Sequence, residues 1–363
     1  MQKDAYLVLE NGEVFKGTAF GDFKEIISEI VFTTGMTGYL ETLSDKSYRG
    51  QIVVQTFPLI GNYGVIPADF ESEMIAANGY IVRDWCQAPS NFRSQGDVDG
   101  LLKERGVAGL CSIDTRRLTR ILREHGVMNG QFTTDPDSVD LEKVRAYTIR
   151  GAVAAVSCKA PYVVEAPEEK YKVALMDFGL KENIKRSLLE RGCTVIVVPH
   201  DTPAADILAY KPDGIMLSNG PGDPTDNPVA IGTIRELMVC GIPLFGICLG
   251  HQLLALANGF TTQKMKYGHR GANQPVRDLT TGKVYISSQN HGYAVVTGSV
   301  DEAAARELFV NVNDNTNEGL EYLRIPAFSV QFHPEASAGP LDSAFLFDRF
   351  IDRIKDHKGP SCP

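Results

Sequence analysis

The sequence predicts an α/β fold in two parts. The C-terminal part is a mostly parallel sheet flanked by helices, and a separate N-terminal α/β domain rich in strands precedes it. Three observations lead there. The second half alternates short apolar runs with helical stretches, and the first half is dense in short β-like runs and turn signals. Between them, the stretch APYVVEAPEEK over 160–170 places two prolines and a charge run where the patterning changes. The expected domains are therefore 1–160 and 171–358.

In the first half, YLVLENGEVFKG reads as a strand, a turn at Asn11 and Gly12, and a second strand. QIVVQTFPLIGNYG reads as a strand that ends at Pro58 and enters a glycine-rich loop. A helix is predicted over 114–125, with Leu118, Ile121 and Leu122 on one face and Gly126 as its stop. In the second half, KVALMD, TVIVVP, GIMLS and IPLFGI are four strands. Helices over 181–191, 228–240 and 249–258 separate or follow them, and Gly192 and Gly259 end the first and last. Near-continuous apolar strands between helices indicate a parallel sheet covered on both faces. Ligands of such sheets sit beyond the carboxyl ends of the strands, where the loops after Ser218 and Ile247 both lie.

Composition narrows the function. With 363 residues, 43% hydrophobic and 22% charged, the chain has ample core for two domains. A net charge of −9 argues against nucleic acid as the partner, and Arg116, Arg117, Arg120 and Arg123 read as a solvated helix face. No run approaches membrane-spanning length and no secretory pattern opens the chain, so a cytoplasmic protein is expected. Seven scattered cysteines without a C-x-x-C pair fit free thiols in a reducing compartment. The histidines show no H-x-x-x-H spacing, and no bound metal is expected.

One cysteine stands apart. In FGICLGHQ, Cys248 lies between Gly246 and Gly250 where a strand turns at once into a helix. Such a corner strains its central residue, and the flanking glycines remove side chains that would clash. This is the G-x-nucleophile-x-G elbow with cysteine in place of serine. The helix N-terminus favours thiolate over thiol, and the N–H of Leu249 points to where an oxyanion would form. A core thiol needs no such glycines. A cysteine nucleophile needs a base and an orienting group. AFSVQFHPEAS supplies both, since positions i and i+2 of an extended strand share a side and His333 and Glu335 can face one way. In LSNGPGDP, Pro221 lacks an N–H, which leaves Gly220 and Gly222 as backbone donors able to lie close to a substrate.

These motifs (Gly246 to Gln252, NGPGDP and HPE) resemble the class I glutamine amidotransferase family over roughly the second half. The first-half stretches VFTTGMTGYLETLSDKSYRGQIVVQTFPLIGNYG and IDTRRLTRILREHG are similar to the N-terminal domain of the carbamoyl-phosphate synthase small-subunit family. The resemblance implies Cys248 as nucleophile, His333 as base and acid, and Glu335 as its orienting partner. It carries glutamine contacts to Ser47, Gly220, Gly222, Leu249, Gln252, Asn290, Gly292 and Tyr293, and because Ser47 is in the first half it implies a pocket roofed by both domains. It further implies a large synthetase subunit as partner, making carbamoyl phosphate from ammonia, bicarbonate and ATP for pyrimidine and arginine synthesis. ATP and magnesium would belong to that partner, with no cofactor on this chain. Phe332 departs from the glycine many small subunits carry before HPE, and Tyr293 from a frequent phenylalanine. His269 and His291 are expected to be structural or interface residues, because the triad is complete without them.

Overall fold

Successive residues of a strand point to opposite faces, and this alternation organises both halves of the chain. A computed structural model describes residues 3–357, which divide into a first unit ending at Ala152 and a second beginning at Val153.

The first unit runs β1 (Asp4–Leu9), β2 (Val14–Gly21), β3 (Ile26–Thr33), α1 (Tyr39–Ser44), β4 (Gln51–Gln55), β5 (Leu59–Ile60), β6 (Gly79–Ile81), β7 (Asp84–Trp85), α2 (Val98–Glu104), β8 (Ala108–Cys111), α3 (Thr115–His125), β9 (Met128–Thr133) and α4 (Leu141–Arg145). Among the described residues these strands close a barrel in the order β1-β2-β8-β6-β4-β3-β9, while β5 and β7 pair apart from it. Ile52, Val54 and Ile81 pack on one face with Leu7, Leu110 and Phe132. Val53, Tyr80 and Val82 pack on the other with Leu40 and Leu43 of α1 and Leu101 and Leu102 of α2. The turn after β1 places Gly12 at φ +87°, as the hairpin reading requires. Helix α3 begins where predicted. Asp114 Oδ1 accepts from the Arg117 N–H at 2.9 Å, and Leu118, Ile121 and Leu122 are buried.

Helix α5 (Ala152–Val156) spans the division. The second unit continues with β10 (Tyr162–Val164), β11 (Tyr171–Asp177), α6 (Glu182–Leu189), β12 (Cys193–Pro199), α7 (Ala204–Ala209), β13 (Gly214–Leu217), α8 (Pro228–Met238), β14 (Leu244–Ile247) and α9 (Leu249–Ala257). It ends with β15 (Thr262–Asp278), β16 (Val284–Val295), β17 (Ala305–Asn311), β18 (Asn317–Tyr322), β19 (Ala327–Val330) and α10 (Phe345–Asp356). Among the described residues one sheet results, ordered β10-β12-β11-β13-β14-β19-β18-β17-β15-β16. The run β12-β11-β13-β14-β19 is parallel, and the remaining pairings are antiparallel. Ala174, Met176, Ile215 and Leu217 pack on one face with Ile234 of α8 and Leu253 of α9. Val173, Leu175 and Met216 pack on the other with Leu188 of α6 and Phe347 and Phe350 of α10.

The stretch 160–170, read from sequence as a linker between 1–160 and 171–358, contributes β10, which pairs antiparallel with β12. Three residues able to add to a sheet edge outweigh the flanking prolines, and the division falls earlier, after Ala152. Residue 358 lies outside the described residues.

Candidate active site

The parallel strands β13, β14 and β19 end at one edge of the sheet, and Cys248 sits there alone between β14 and α9. Its backbone is left-handed, φ +54° and ψ −104°. A non-glycine residue held that way costs on the order of 1–3 kcal/mol and needs a surrounding structure that enforces it. The enforcement is visible. A Cβ on Gly246 would lie 2.7 Å from Gly250 O, and one on Gly250 would lie 2.3 Å from Leu217 O. The Cys248 N–H donates to Val330 O at 2.9 Å and the Gly250 N–H to Ser218 O at 3.0 Å, so the corner is fastened to both neighbouring strands. Cys248 is 2% exposed, and its Sγ lies 3.7 Å from Asn290 O. Leu249 is the first residue of α9, and its N–H has no acceptor one turn back within the helix.

His333 and Glu335 meet as the sequence implies, by a different backbone route. Strand β19 ends at Val330; His333 forms an isolated bridge with Ser288, and Pro334 and Glu335 turn. The His333 N–H donates to Ser288 O at 2.9 Å, which fixes the residue against β16. His333 Nδ1 lies 2.6 Å from Glu335 Oε1, with both side chains buried. An N–H at Nδ1 donates to that carboxylate and leaves Nε2 as the nitrogen for proton transfer.

Lys181 is the residue that sequence reasoning missed. Its Nζ lies 3.4 Å from His333 Nδ1 and 3.9 Å from Glu335 Oε1. Its position in the loop from β11 to α6, at the same sheet edge as Cys248, was the available signal. Two loops hold it. Asp177 Oδ1 accepts from the N–H groups of Gly179 and Leu180, and Asn219 Oδ1 accepts from the Lys181 N–H at 3.1 Å. Burial and the Lys181 charge push the His333 imidazole down, but the Glu335 carboxylate and the Cys248 sulfur outweigh them and lift it to about 10. Burial pushes Glu335 up, yet its pKa is lowered, chiefly by the charge of His333. His333 Nε2 is buried and has no hydrogen-bond partner among the described residues.

The other singled-out residues divide. Gly220 lies tight against the chain, where a Cβ would be 2.3 Å from Phe178 O, and Gly222 is left-handed at φ +86°. Gln252 Nε2 donates to Tyr293 O at 2.8 Å and to Gln331 Oε1 at 2.9 Å, tying α9 to β16. Asn290 and Gly292 lie on β16; Asn290 is paired with Arg270, and a Cβ on Gly292 would be 3.3 Å from that arginine's Nη2. Ser47 belongs to the first unit, in a short turn where Asp45 Oδ1 accepts from its N–H at 2.8 Å.

Comparison with known proteins bears on both units. The family model Glutamine amidotransferase class-I matches residues 174–353, and that of the carbamoyl-phosphate synthase small chain, CPSase domain, matches residues 7–132. A carbamoyl phosphate synthase small chain of Bacillus cereus is 51% identical over 354 residues, covering 97% of this chain and 96% of that one. This chain belongs to the carbamoyl phosphate synthase small-chain family. Another member, the carbamoyl phosphate synthase pyrimidine-specific small chain of Bacillus subtilis, is 50% identical over 352 residues, 96% of this chain and 95% of that one. A third small chain, from Staphylococcus saprophyticus, is 48% identical over 361 residues, 99% and 98% of the two chains. As a small chain with a class I amidotransferase domain, the protein is a glutamine-hydrolysing enzyme subunit. Among the described residues, no helix is long and apolar enough to cross a membrane.

Proposed function

We propose that Cys248, His333 and Glu335 hydrolyse the side-chain amide of glutamine, and that the ammonia passes to a large synthetase subunit for carbamoyl phosphate synthesis. The observation that carries this reading is a cysteine on a strained strand-to-helix corner whose charge helps to raise a buried imidazole, itself 2.6 Å from a carboxylate. The Cys248 thiolate attacks the amide carbon. The oxyanion is met by the Leu249 N–H and by a backbone N–H of the Gly220–Gly222 loop; losing one such donor typically costs about 10²–10³ in rate. His333 gives its proton to the departing ammonia, leaving a glutamyl thioester. Acylation removes the sulfur charge that helped to lift the imidazole, so His333 is then a better match for its second task of drawing a proton from water. Ser47, Gln252, Asn290, Gly292 and Tyr293 are proposed as further glutamine contacts.

Ammonia in neutral water is mostly ammonium, which has no lone pair to attack with, so transfer to the second active site favours a sealed passage. The synthesis step consumes bicarbonate and ATP, and we assign ATP and magnesium to the large subunit, since this sequence carries no phosphate-binding loop. The product serves pyrimidine and arginine synthesis, and the setting is cytoplasmic. In the reconstituted pair, Cys248→Ser should abolish glutamine-dependent carbamoyl phosphate formation while added ammonia still supports it. Loss of both activities, or of neither, would sink this division of labour. Ser47→Ala should raise KM for glutamine with little change in kcat; an unchanged KM would remove Ser47 from the binding set.

A further inference from the structure

Strands β15, β16 and the start of β18 bring together His269, His291 and Glu318, which the sequence keeps well apart. One ligand atom from each lies within 4.8 Å of the others, and all three residues are buried. Glutamine hydrolysis as derived above uses none of them.

Both imidazoles are oriented from behind. His269 Nε2 is 2.9 Å from Asp314 Oδ2, which leaves Nδ1 facing Glu318 Oε1 at 3.2 Å. His291 Nδ1 is 2.8 Å from Tyr293 O, which leaves Nε2 beside Gln289 Oε1 at 3.0 Å. A carboxylate behind one ring and a backbone carbonyl behind the other are the two usual partners that fix metal-ligating histidines. Glu318 is fully buried, and its Oε2 has no hydrogen-bond partner among the described residues. An uncompensated buried carboxylate oxygen is costly, and coordination is one way to satisfy it.

We propose that His269 Nδ1, His291 Nε2 and the Glu318 carboxylate form a binding site for one divalent transition-metal ion of the zinc class. Two imidazoles with one carboxylate suit zinc, cobalt or nickel, whereas calcium and magnesium take oxygen ligands. The carboxylates of Glu318 and Asp314 supply the negative charge a dication needs in a neighbourhood that also holds Arg270. Gln289 gives up its contact with Nε2 when the ion enters. The ion would pin β15, β16 and β18 together, and β16 is the strand that carries Asn290, Gly292 and Tyr293. The site is structural, and none of its three ligands belongs to the proposed triad.

The test uses the full-length chain, stripped with chelator and then titrated with Co²⁺. The expected result is close to one Co²⁺ per chain with visible ligand-field bands of a site containing nitrogen ligands, and a rise in thermal midpoint on binding. Glu318→Gln, nearly isosteric, should lose the bands and the midpoint rise. Asp314→Asn, which removes no ligand atom but weakens the contact behind His269, should lower Co²⁺ affinity about 10–100-fold. Absence of the bands in the wild-type chain at excess Co²⁺ overturns the proposal, as does a spectrum that Glu318→Gln and Asp314→Asn leave unchanged. Circular dichroism of each variant separates loss of the site from loss of the fold.

Discussion

Two buried histidines of the second unit look alike at first. His333 lies beside one carboxylate and His269 between two, and in each the negatively charged neighbours outweigh burial and raise the imidazole, to about 10 and about 9 respectively. They differ in what else the ring meets. His333 shares its surroundings with a cysteine sulfur on a strained corner and a lysine. His269 is held between two carboxylates, Asp314 and Glu318, with its ring edge-on to His291 at 5.0 Å between centroids. A raised, buried imidazole is therefore a poor mark of catalysis by itself. The neighbouring group decides, and for His333 the proposed nucleophile stands where two glycines allow a non-glycine residue to take φ +54°.

Breaking each cluster should expose this difference. His333→Ala removes acid and base together and should slow glutamine hydrolysis by about 10⁴-fold. Single-turnover mixing is the sharper assay, and undiminished ammonia release would rule out the assigned role. Glu335→Gln keeps the shape but withdraws the charge that orients and lifts the imidazole, so a smaller loss, about 10²-fold, is expected in kcat/KM. If Glu335→Gln were silent, the 2.6 Å contact would be packing alone.

The strained corner at Cys248 was legible because its signal is local. Gly246, Cys248 and Gly250 lie within one turn of chain, and each glycine is explained by a clash that a Cβ would make. The alternating apolar strands from β11 to β14 were legible for the same reason. Strands β15 and β16 were not. In β16 the buried residues Ser287, Gln289 and His291 are polar while the exposed Val284 and Ile286 are apolar, and its pairing with β15 shifts register between Lys264 and His269 and again between Gly271 and Gln274, so no apolar period-two pattern survives to be read. Lys181 escaped because its importance comes from pairing across the chain with residues 333 and 335. The HPE step misled in backbone only. An extended strand was expected, and a turn around Pro334 achieves the same encounter.

A pH scan sharpens the comparison through stability. His333 is raised from its ordinary 6.5 to about 10 in the folded protein. Below 6.5 the imidazole is protonated whether folded or not, and its contribution is complete. As pH rises from 6.5 toward 10 the folded state holds a proton the unfolded chain has lost, so stability falls across that window. Urea midpoints of the wild-type chain should decline between pH 7 and 10, and His333→Gln should flatten part of that slope. An identical slope in the variant would mean that the proton is held elsewhere.

The smallest predicted effect concerns Lys181. Its charge lowers the His333 pKa and also that of Glu335. Replacing it with methionine keeps most of the stem and removes the charge, so the imidazolium should hold its proton more tightly. A tighter proton hinders the step in which His333 protonates departing ammonia and does not hinder the step in which it accepts a proton from water. Lys181→Met should therefore slow thioester formation by about tenfold, the rate equivalent of one pKa unit, while thioester hydrolysis is spared. The alkaline limb of the single-turnover profile should move to higher pH at the same time. Equal slowing of both steps would point to lost packing around the triad, and an unmoved limb would show that the lysine charge does not reach the ring.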